Sequence, residues 1–210
     1  MRKYYFSIVS IVVLLLSLLA FSDNLITDVG QESNHDPKFV IHGLLLFLWM
    51  FIFVIQTNLI RKDNVEAHKK IGIAGMIVAI GVVLSTFYIF YSTYNGWNNL
   101  VYYAKPNRFF MPSFAILIFL AYRYRKVPEK HKRLILVAIF YMLDPILSRS
   151  LDMIVDVSLF ITIPVVWNAF FVSLFIYDWK TIRRIHSISY IGFTWFYVVW
   201  TSCVLMEIFK

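Results

Sequence analysis

Long apolar runs separated by short charged segments make up most of the chain. The hydrocarbon core of a membrane is about 30 Å thick, and about 20 apolar residues in a helix cross it. Seven runs approach that length, at residues 4–21, 39–60, 71–94, 109–122, 134–147, 157–177 and 188–209. The runs are continuous and do not alternate as barrel strands do, so they predict membrane-spanning helices. The fourth and fifth runs are short, about 21 Å at 1.5 Å per residue, and need flanking residues to cross.

Composition points to the same class of protein. The 210 residues are 60% apolar, 19% aromatic and only 15% charged, with a mean hydropathy of +0.71. These values exclude a soluble globular protein and a disordered chain. The single cysteine, Cys203, excludes an intrachain disulfide and a cage of thiolate metal ligands. We therefore predict an all-α, polytopic transmembrane helical bundle of about seven spans.

The first run has two interpretations. Arg2 and Lys3 precede it and the small residues Ala20 and Ser22 end it, which is also the pattern of a cleavable signal peptide. Its apolar length exceeds that of a usual signal core and favours a retained helix. We predict a signal-anchor helix with an acidic outer loop at residues 1–38, followed by a six-helix transmembrane bundle at residues 39–210.

The distribution of charge predicts the orientation. With the N-terminus inside, the inner segments hold 15 basic and 4 acidic residues, and the outer segments hold 5 basic and 8 acidic residues. The positive-inside rule then places the N-terminus in the cytoplasm and the C-terminus outside. The net charge of +8 is explained by a membrane face, and we expect no nucleic-acid partner. The predicted location is a bacterial plasma (inner) membrane.

The basic rim and the small residues predict partners. We expect the bilayer and its anionic headgroups as partners. The headgroup-binding candidates are Lys69, Lys70, Lys132, Arg133 and Arg184. In the third run, Gly75 and Ala79 form a small-xxx-small pair that permits close helix packing. Packing within the chain is the default expectation, and a homo-oligomer is the alternative.

A histidine recurs where the chain re-enters the membrane from the predicted cytoplasmic side. His68, His131 and His186 each lie at the start of a helix next to basic residues. The recurrence suggests three related hairpins, formed by helices two and three, four and five, and six and seven. A helix N-terminus and nearby cations disfavour the imidazolium and promote the neutral form that binds metals.

These histidines carry the first functional hypothesis, which is metal or haem binding at a cytoplasmic-face cluster. The candidate ligands are His68, His131, His186 and Asp178, and the candidate cofactors are haem b or a divalent metal. A zinc ion there would also support a lipid amide or ester hydrolase. Phosphate binding and a merely solvated rim are the alternatives, so the pattern leaves open whether the protein is an enzyme.

A second set of polar residues lies toward the predicted outer side. Intramembrane ionisable residues are candidates for function by default. One interpretation is a structural ion pair between Asp144 and Arg149 or Arg108. The alternative is a proton relay between Asp144 and His42, or a ligand pocket that opens outward, in a small-solute carrier or assembly scaffold. The set comprises His42, Gln56, Asp144, Arg149 and Arg108.

Several phrases carry a resemblance to known proteins. They are Ile41-His42-Gly43, the segment from Glu66 to Gly72, His131-Lys132-Arg133-Leu134 with Leu143-Asp144-Pro145, and Tyr177-Asp178 with Arg184-Ile185-His186. With them the chain resembles a loose group of uncharacterised bacterial multi-pass inner-membrane proteins. It is more distantly similar to membrane proteins of cytochrome oxidase assembly and to the di-haem cytochromes b. That resemblance implies haem or metal at the helix-start histidines.

Overall fold

The computed structural model describes residues 3–100, 104–154 and 159–209, and all regular structure in these ranges is helical. The predicted all-α class is therefore confirmed. Three short turns of helix lie in loops, at Asp23–Thr27, Glu32–Asn34 and Trp97–Asn99. The eight α-helices described are α1 (Tyr5–Ala20), α2 (Pro37–Arg61), α3 (Val65–Ser92), α4 (Asn107–Arg123), α5 (Pro128–Tyr141), α6 (Asp144–Ile154), α7 (Leu159–Ile182) and α8 (Ser187–Ile208).

Five helices in the described part of the chain are long and apolar enough to cross a membrane. They lie at Tyr5–Thr27, Pro37–Arg61, Val65–Ser92, Thr162–Ile182 and Ser187–Ile208, and a sixth span results if α5 and α6 form one broken crossing. Helix α4 has 17 residues, about 25 Å of helix, and is shorter than these. A multi-pass membrane protein is compatible with this set of helices, while the count of seven stays a prediction.

The fifth predicted run, residues 134–147, is divided between two helices. Helix α5 ends at Tyr141 and α6 starts at Asp144, directly before Pro145. A proline ring clashes with the carbonyl group four residues earlier, which here belongs to Tyr141, so a continuous helix is disfavoured at this point. The start of the sixth predicted run, at 157, lies outside the described residues.

The chain forms two compact units, Met1–Ile89 with Pro145–Leu159, and Phe90–Asp144 with Phe160–Lys210. We call them unit 1 and unit 2. In unit 1, α1 contacts α2 through Ser10 and Thr57, whose hydroxyl oxygens are 2.8 Å apart. Helix α3 packs within the chain through its small residues, because Gly75 and Ala79 are both buried. A Cβ atom at Gly75 would lie 3.2 Å from the Ile52 side chain of α2.

Helix α5 is the centre of unit 2, and nearly every residue from Arg133 to Tyr141 is buried. Its neighbour α8 approaches closely at Gly192, where the Tyr141 hydroxyl donates a 2.8 Å hydrogen bond to the backbone carbonyl. Helix α7 is fixed by the Trp167 indole, which donates to the Phe140 carbonyl at 2.9 Å. These contacts fix the C-terminal end of α5 against α7 and α8.

The exposed faces of the long helices are apolar. On α3 they include Ile73, Ile77, Ile80 and Leu84, each more than half exposed. Steps of three and four residues place these side chains on one face of the helix. A helix facing water carries polar residues on its exposed face, so these surfaces suit hydrocarbon and are typical of an integral membrane protein.

Candidate functional site

A buried ion pair joins α5 to α7 in unit 2. The Arg133 Nε donates to Asp178 Oδ1 at 2.8 Å, and Nη2 of the same guanidinium is 2.6 Å from that oxygen. Both side chains are 0% exposed. Two buried charges are stable only when they are paired and hydrogen-bonded, so this contact is a strong constraint on how the two helices meet.

The second carboxylate oxygen of Asp178 and Nη1 of Arg133 also have hydrogen-bond partners. The second carboxylate oxygen of Asp178 accepts from the His186 backbone N–H at 2.9 Å and from the Ser189 hydroxyl at 2.7 Å. Nη1 of Arg133 donates to the Glu129 carbonyl at 2.7 Å and to the Glu129 carboxylate. We call Glu129, Arg133, Asp178, His186 and Ser189 the Arg133 network. It ties the first turn of α5 and the start of α8 to the last turns of α7.

His186 is the N-cap of α8. Its Nδ1 accepts a hydrogen bond from the Ile188 backbone N–H at 3.1 Å, which requires an unprotonated Nδ1. Burial lowers the pKa of His186, and the nearby positive charges of Arg133 and Arg184 lower it further. The carboxylates of Asp178 and Glu129 oppose this, but the net direction of the pKa is downward. The hydrogen bond that caps α8 and the lowered pKa of His186 thus both favour the neutral imidazole.

The other two helix-start histidines make different contacts. In unit 2, Nδ1–H of His131 donates to the Ala121 carbonyl at 2.8 Å and so joins the start of α5 to the end of α4. In unit 1, the Gln56 amide of α2 faces His68 of α3. Oriented by its partners, it donates to His68 Nδ1 and to the His68 carbonyl, 3.1 Å away. Each histidine connects its helix to a neighbouring segment or caps it.

The structure gives no support to the predicted metal or haem centre. Within residues 3–100, 104–154 and 159–209, no three His, Cys, Asp or Glu side chains are grouped so that they could hold a metal ion. Asp178, the expected fourth ligand, has both oxygens engaged by Arg133, His186 and Ser189. The zinc-hydrolase hypothesis needs the same ligand set and has no support either.

In unit 1, the predicted outer polar residues have local partners. The Nδ1 of His42 is 2.9 Å from the Ser85 hydroxyl, so α2 and α3 share a polar contact within their apolar lengths. Arg149 donates to the Asn24 side chain at 3.2 Å, and its guanidinium lies 4.9 Å from the centre of the Phe21 ring. Ser85 is thus the partner of His42, and the proton relay between His42 and Asp144 stays a prediction.

In unit 2, Asp144 accepts a 2.8 Å hydrogen bond from the Asn107 side chain at the start of α4. The neighbouring guanidinium of Arg108 lies 3.9 Å from the centre of the Phe90 ring. Among the ion pairs of the described residues, Asp144 is not paired with Arg108. An amide thus takes the place of the arginine that the sequence led us to expect beside Asp144.

The predicted headgroup-binding residues differ in accessibility. Lys69 and Lys70 in unit 1 are exposed, and Lys70 pairs with Glu66 at 2.8 Å. Arg184 in unit 2 is exposed as well, while Lys132 is half-buried and pairs with Glu129 at 2.9 Å. Arg133 must be removed from this set, because its side chain is fully buried in the ion pair with Asp178.

Sequence reasoning missed the partnership between Arg133 and Asp178. One signal was present: Arg133 lies four and eight residues before Val137 and Tyr141, so it shares their buried helical face. A charged residue on the buried face of a helix requires a buried counter-charge. Asp178 is the acidic residue within the last turns of the apolar α7, but the pattern of one helix does not say which other helix it meets.

The chain was also compared with known proteins. No family model, curated protein or solved structure matches it. The resemblance to bacterial inner-membrane proteins accordingly stays a prediction.

Proposed function

We propose that this chain is a multi-pass membrane protein that binds anionic phospholipid headgroups at its cytoplasmic face. In this proposal the Arg133 network holds together the helix ends that carry the binding charges. The proposal retains the bilayer and its headgroups as the partners expected from the sequence. It assigns the helix-start histidines to capping and packing.

One observation carries the proposal, namely the different charge at the two ends of unit 2. At one end of unit 2, helices α4 and α7 finish and helices α5 and α8 begin. We call this the basic end. At the opposite end, Lys105 is 1% exposed and paired with Glu207, and Arg108 is half-buried against Phe90. All the exposed lysines and arginines described in unit 2 belong to the basic end, and these are Arg123, Arg125, Lys126, Lys130, Lys180, Arg183 and Arg184.

The acidic residues of the Arg133 network are engaged by basic residues, Asp178 by Arg133 and Glu129 by Lys132 and Arg133. The Asp178 carboxylate is fully buried and neutralised by Arg133, so it does not offset the lysine and arginines that follow it in the chain. Glu129, the exposed acid in the first turn of α5, is engaged by Lys132 and Arg133. Each basic residue near an anionic membrane surface contributes about 1 kcal/mol of attraction.

The same asymmetry supports an N-terminus in the cytoplasm and a C-terminus outside. The positive-inside rule places the basic end in the cytoplasm of a bacterium. Seven spans follow if α4 crosses and α5 with α6 forms one broken crossing. Helix α4 is about 25 Å long, and Arg123 in its last turn can extend its charge toward the headgroups.

Lipid binding in nanodiscs tests the proposal. Discs of phosphatidylcholine alone are compared with discs that also contain phosphatidylglycerol, and bound lipid is counted by native mass spectrometry. We expect phosphatidylglycerol to be preferred, and removal of Arg183 and Arg184 by substitution with Gln to weaken that preference about fivefold per charge. The matched control is Arg149→Gln, which removes one exposed charge from α6. Equal retention of both lipids by the native chain would refute the proposal.

A second function, proton-coupled movement of a small solute, is supported by one contact. His42 lies within the apolar α2 and shares a hydrogen bond with Ser85 of α3. An ionisable residue at such a position is a candidate for proton transfer. Uptake driven by a pH gradient in proteoliposomes should then be lost in His42→Gln and kept in Ser85→Ala. Unchanged uptake in His42→Gln would exclude this function.

A further inference from the structure

A shallow groove follows the exposed side of α7 at the basic end of unit 2. Its volume is about 290 Å³, and its wall is apolar. Val172, Ile176 and Trp179 are spaced by four and three residues, so the groove extends about 10 Å along the helix. Phe175, Lys180 and Ile185 complete its lining.

The groove is open on the side that faces away from the core of unit 2. Val172, Ile176 and Trp179 are 47%, 50% and 59% exposed, which places the opening on the surface that suits hydrocarbon. A water-soluble ligand would meet apolar side chains along this wall, since Lys180 lies at one end of it. An acyl chain would bury apolar surface on both partners.

The chemistry changes at one end of the groove. Lys180 closes it there, and the exposed Arg183 and Arg184 follow in the segment that leads to α8. The exposed indole of Trp179 lies beside Lys180, and tryptophan is enriched where headgroups meet hydrocarbon. Asp178 does not cancel these cations, because its carboxylate faces Arg133 inside the unit.

We propose that this groove binds one anionic phospholipid, with an acyl chain along α7 and the phosphate next to Lys180 and the two arginines. The inference rests on the proposed function and gives it a specific site. An amphiphile with a negative head matches both the apolar wall and the positive end. A volume of about 290 Å³ lies near the lower limit for small-molecule sites, so part of one chain fills it.

Two kinds of variant separate the groove from the surrounding charge. Ile176→Trp and Val172→Trp fill the groove at half-exposed positions, and Lys180→Gln removes its cation. The matched control for filling is Ile191→Trp, at an exposed apolar position of α8 that does not line the groove. Each purified variant is first tested for native elution and thermal unfolding, so that one filler remains if the other does not fold.

Phosphatidylglycerol retained by each variant is then counted by native mass spectrometry. We expect about a fivefold loss of affinity in Lys180→Gln, a comparable loss in either filler, and native retention in Ile191→Trp. Loss in Lys180→Gln with full retention in both fillers overturns the groove and leaves general headgroup binding intact. A filler that changes the oligomeric state instead would identify an interface between copies and overturn the lipid site. If the native chain itself does not prefer phosphatidylglycerol, both the groove site and the proposed function are refuted.

Discussion

Replacement of Asp178 by alanine removes the acceptor at the centre of the Arg133 network. Among the described residues, the substitution leaves the fully buried Arg133 with Glu129 as its one counter-charge. It also removes the acceptor for the His186 backbone N–H and the Ser189 hydroxyl. Breaking a buried ion pair from one side costs about 3–5 kcal/mol. For a chain of this size about 1 kcal/mol shifts Tm by about 2–4 °C, so Tm should fall by about 6–20 °C.

The assay is thermal unfolding in detergent, with Asp152→Ala as the control because Asp152 is an exposed acid of α6. The control should stay within about 0.5 kcal/mol of the native chain. The double variant Arg133→Met with Asp178→Leu should recover part of the loss, because it leaves no uncompensated buried charge. The His186 N–H and the Ser189 hydroxyl still lack the acceptor that Asp178 provides, so recovery is not complete. A loss below about 1 kcal/mol in Asp178→Ala, or no recovery in the double variant, would refute the reasoning.

Three further predictions concern unit 2. The pKa of His186 is lowered by folding, so its contribution to stability is complete above about pH 6.5 and declines as the pH falls below that value. In His186→Asn, which keeps an N-cap, thermal unfolding at several pH values should show less of this acid sensitivity. Gly192→Ala would place a Cβ 2.6 Å from a methyl group of Val137 and should cost about 1–3 kcal/mol in thermal unfolding. Gly43→Ala should not, because its Cβ would meet no atom within 4 Å beyond its chain neighbours and the backbone of its own helix. Trp167→Phe removes an indole donor from a backbone carbonyl of α5, and denaturant titration should register a loss of about 1–3 kcal/mol.

The apolar pattern predicted the long helices well. Residues 39–60 and 188–209 correspond to Pro37–Arg61 and Ser187–Ile208, because continuous hydrophobicity ends where charged residues begin. Helix α3 starts earlier than its apolar run, at Val65, since polar residues can occupy the first turns of a helix outside the hydrocarbon. In the sequence, the break between α5 and α6 after Tyr141 was signalled only by Pro145. Whether a proline ring clashes with an earlier carbonyl depends on the backbone conformation.

The candidate site was less predictable, because it depends on which helix ends meet. The sequence correctly placed histidines near the starts of α3, α5 and α8, but a local pattern cannot tell a ligand from a cap. His186 caps its own helix, and His131 donates to the end of α4. Arg133 and Asp178 are 45 residues apart in the chain, and their pairing arises from the packing of α5 against α7.

The side of the membrane on which the basic end lies is the central claim of this account. The direct measurement uses single cysteines in a Cys203→Ser background, labelled by an impermeant maleimide on sealed right-side-out membrane vesicles. The exposed positions are Asn64, Lys126 and Arg184 on the predicted cytoplasmic side and Asn95 on the other. The account predicts that only the cysteine at Asn95 is labelled until the vesicles are permeabilised. Labelling at Lys126 or Arg184 in sealed vesicles would contradict it.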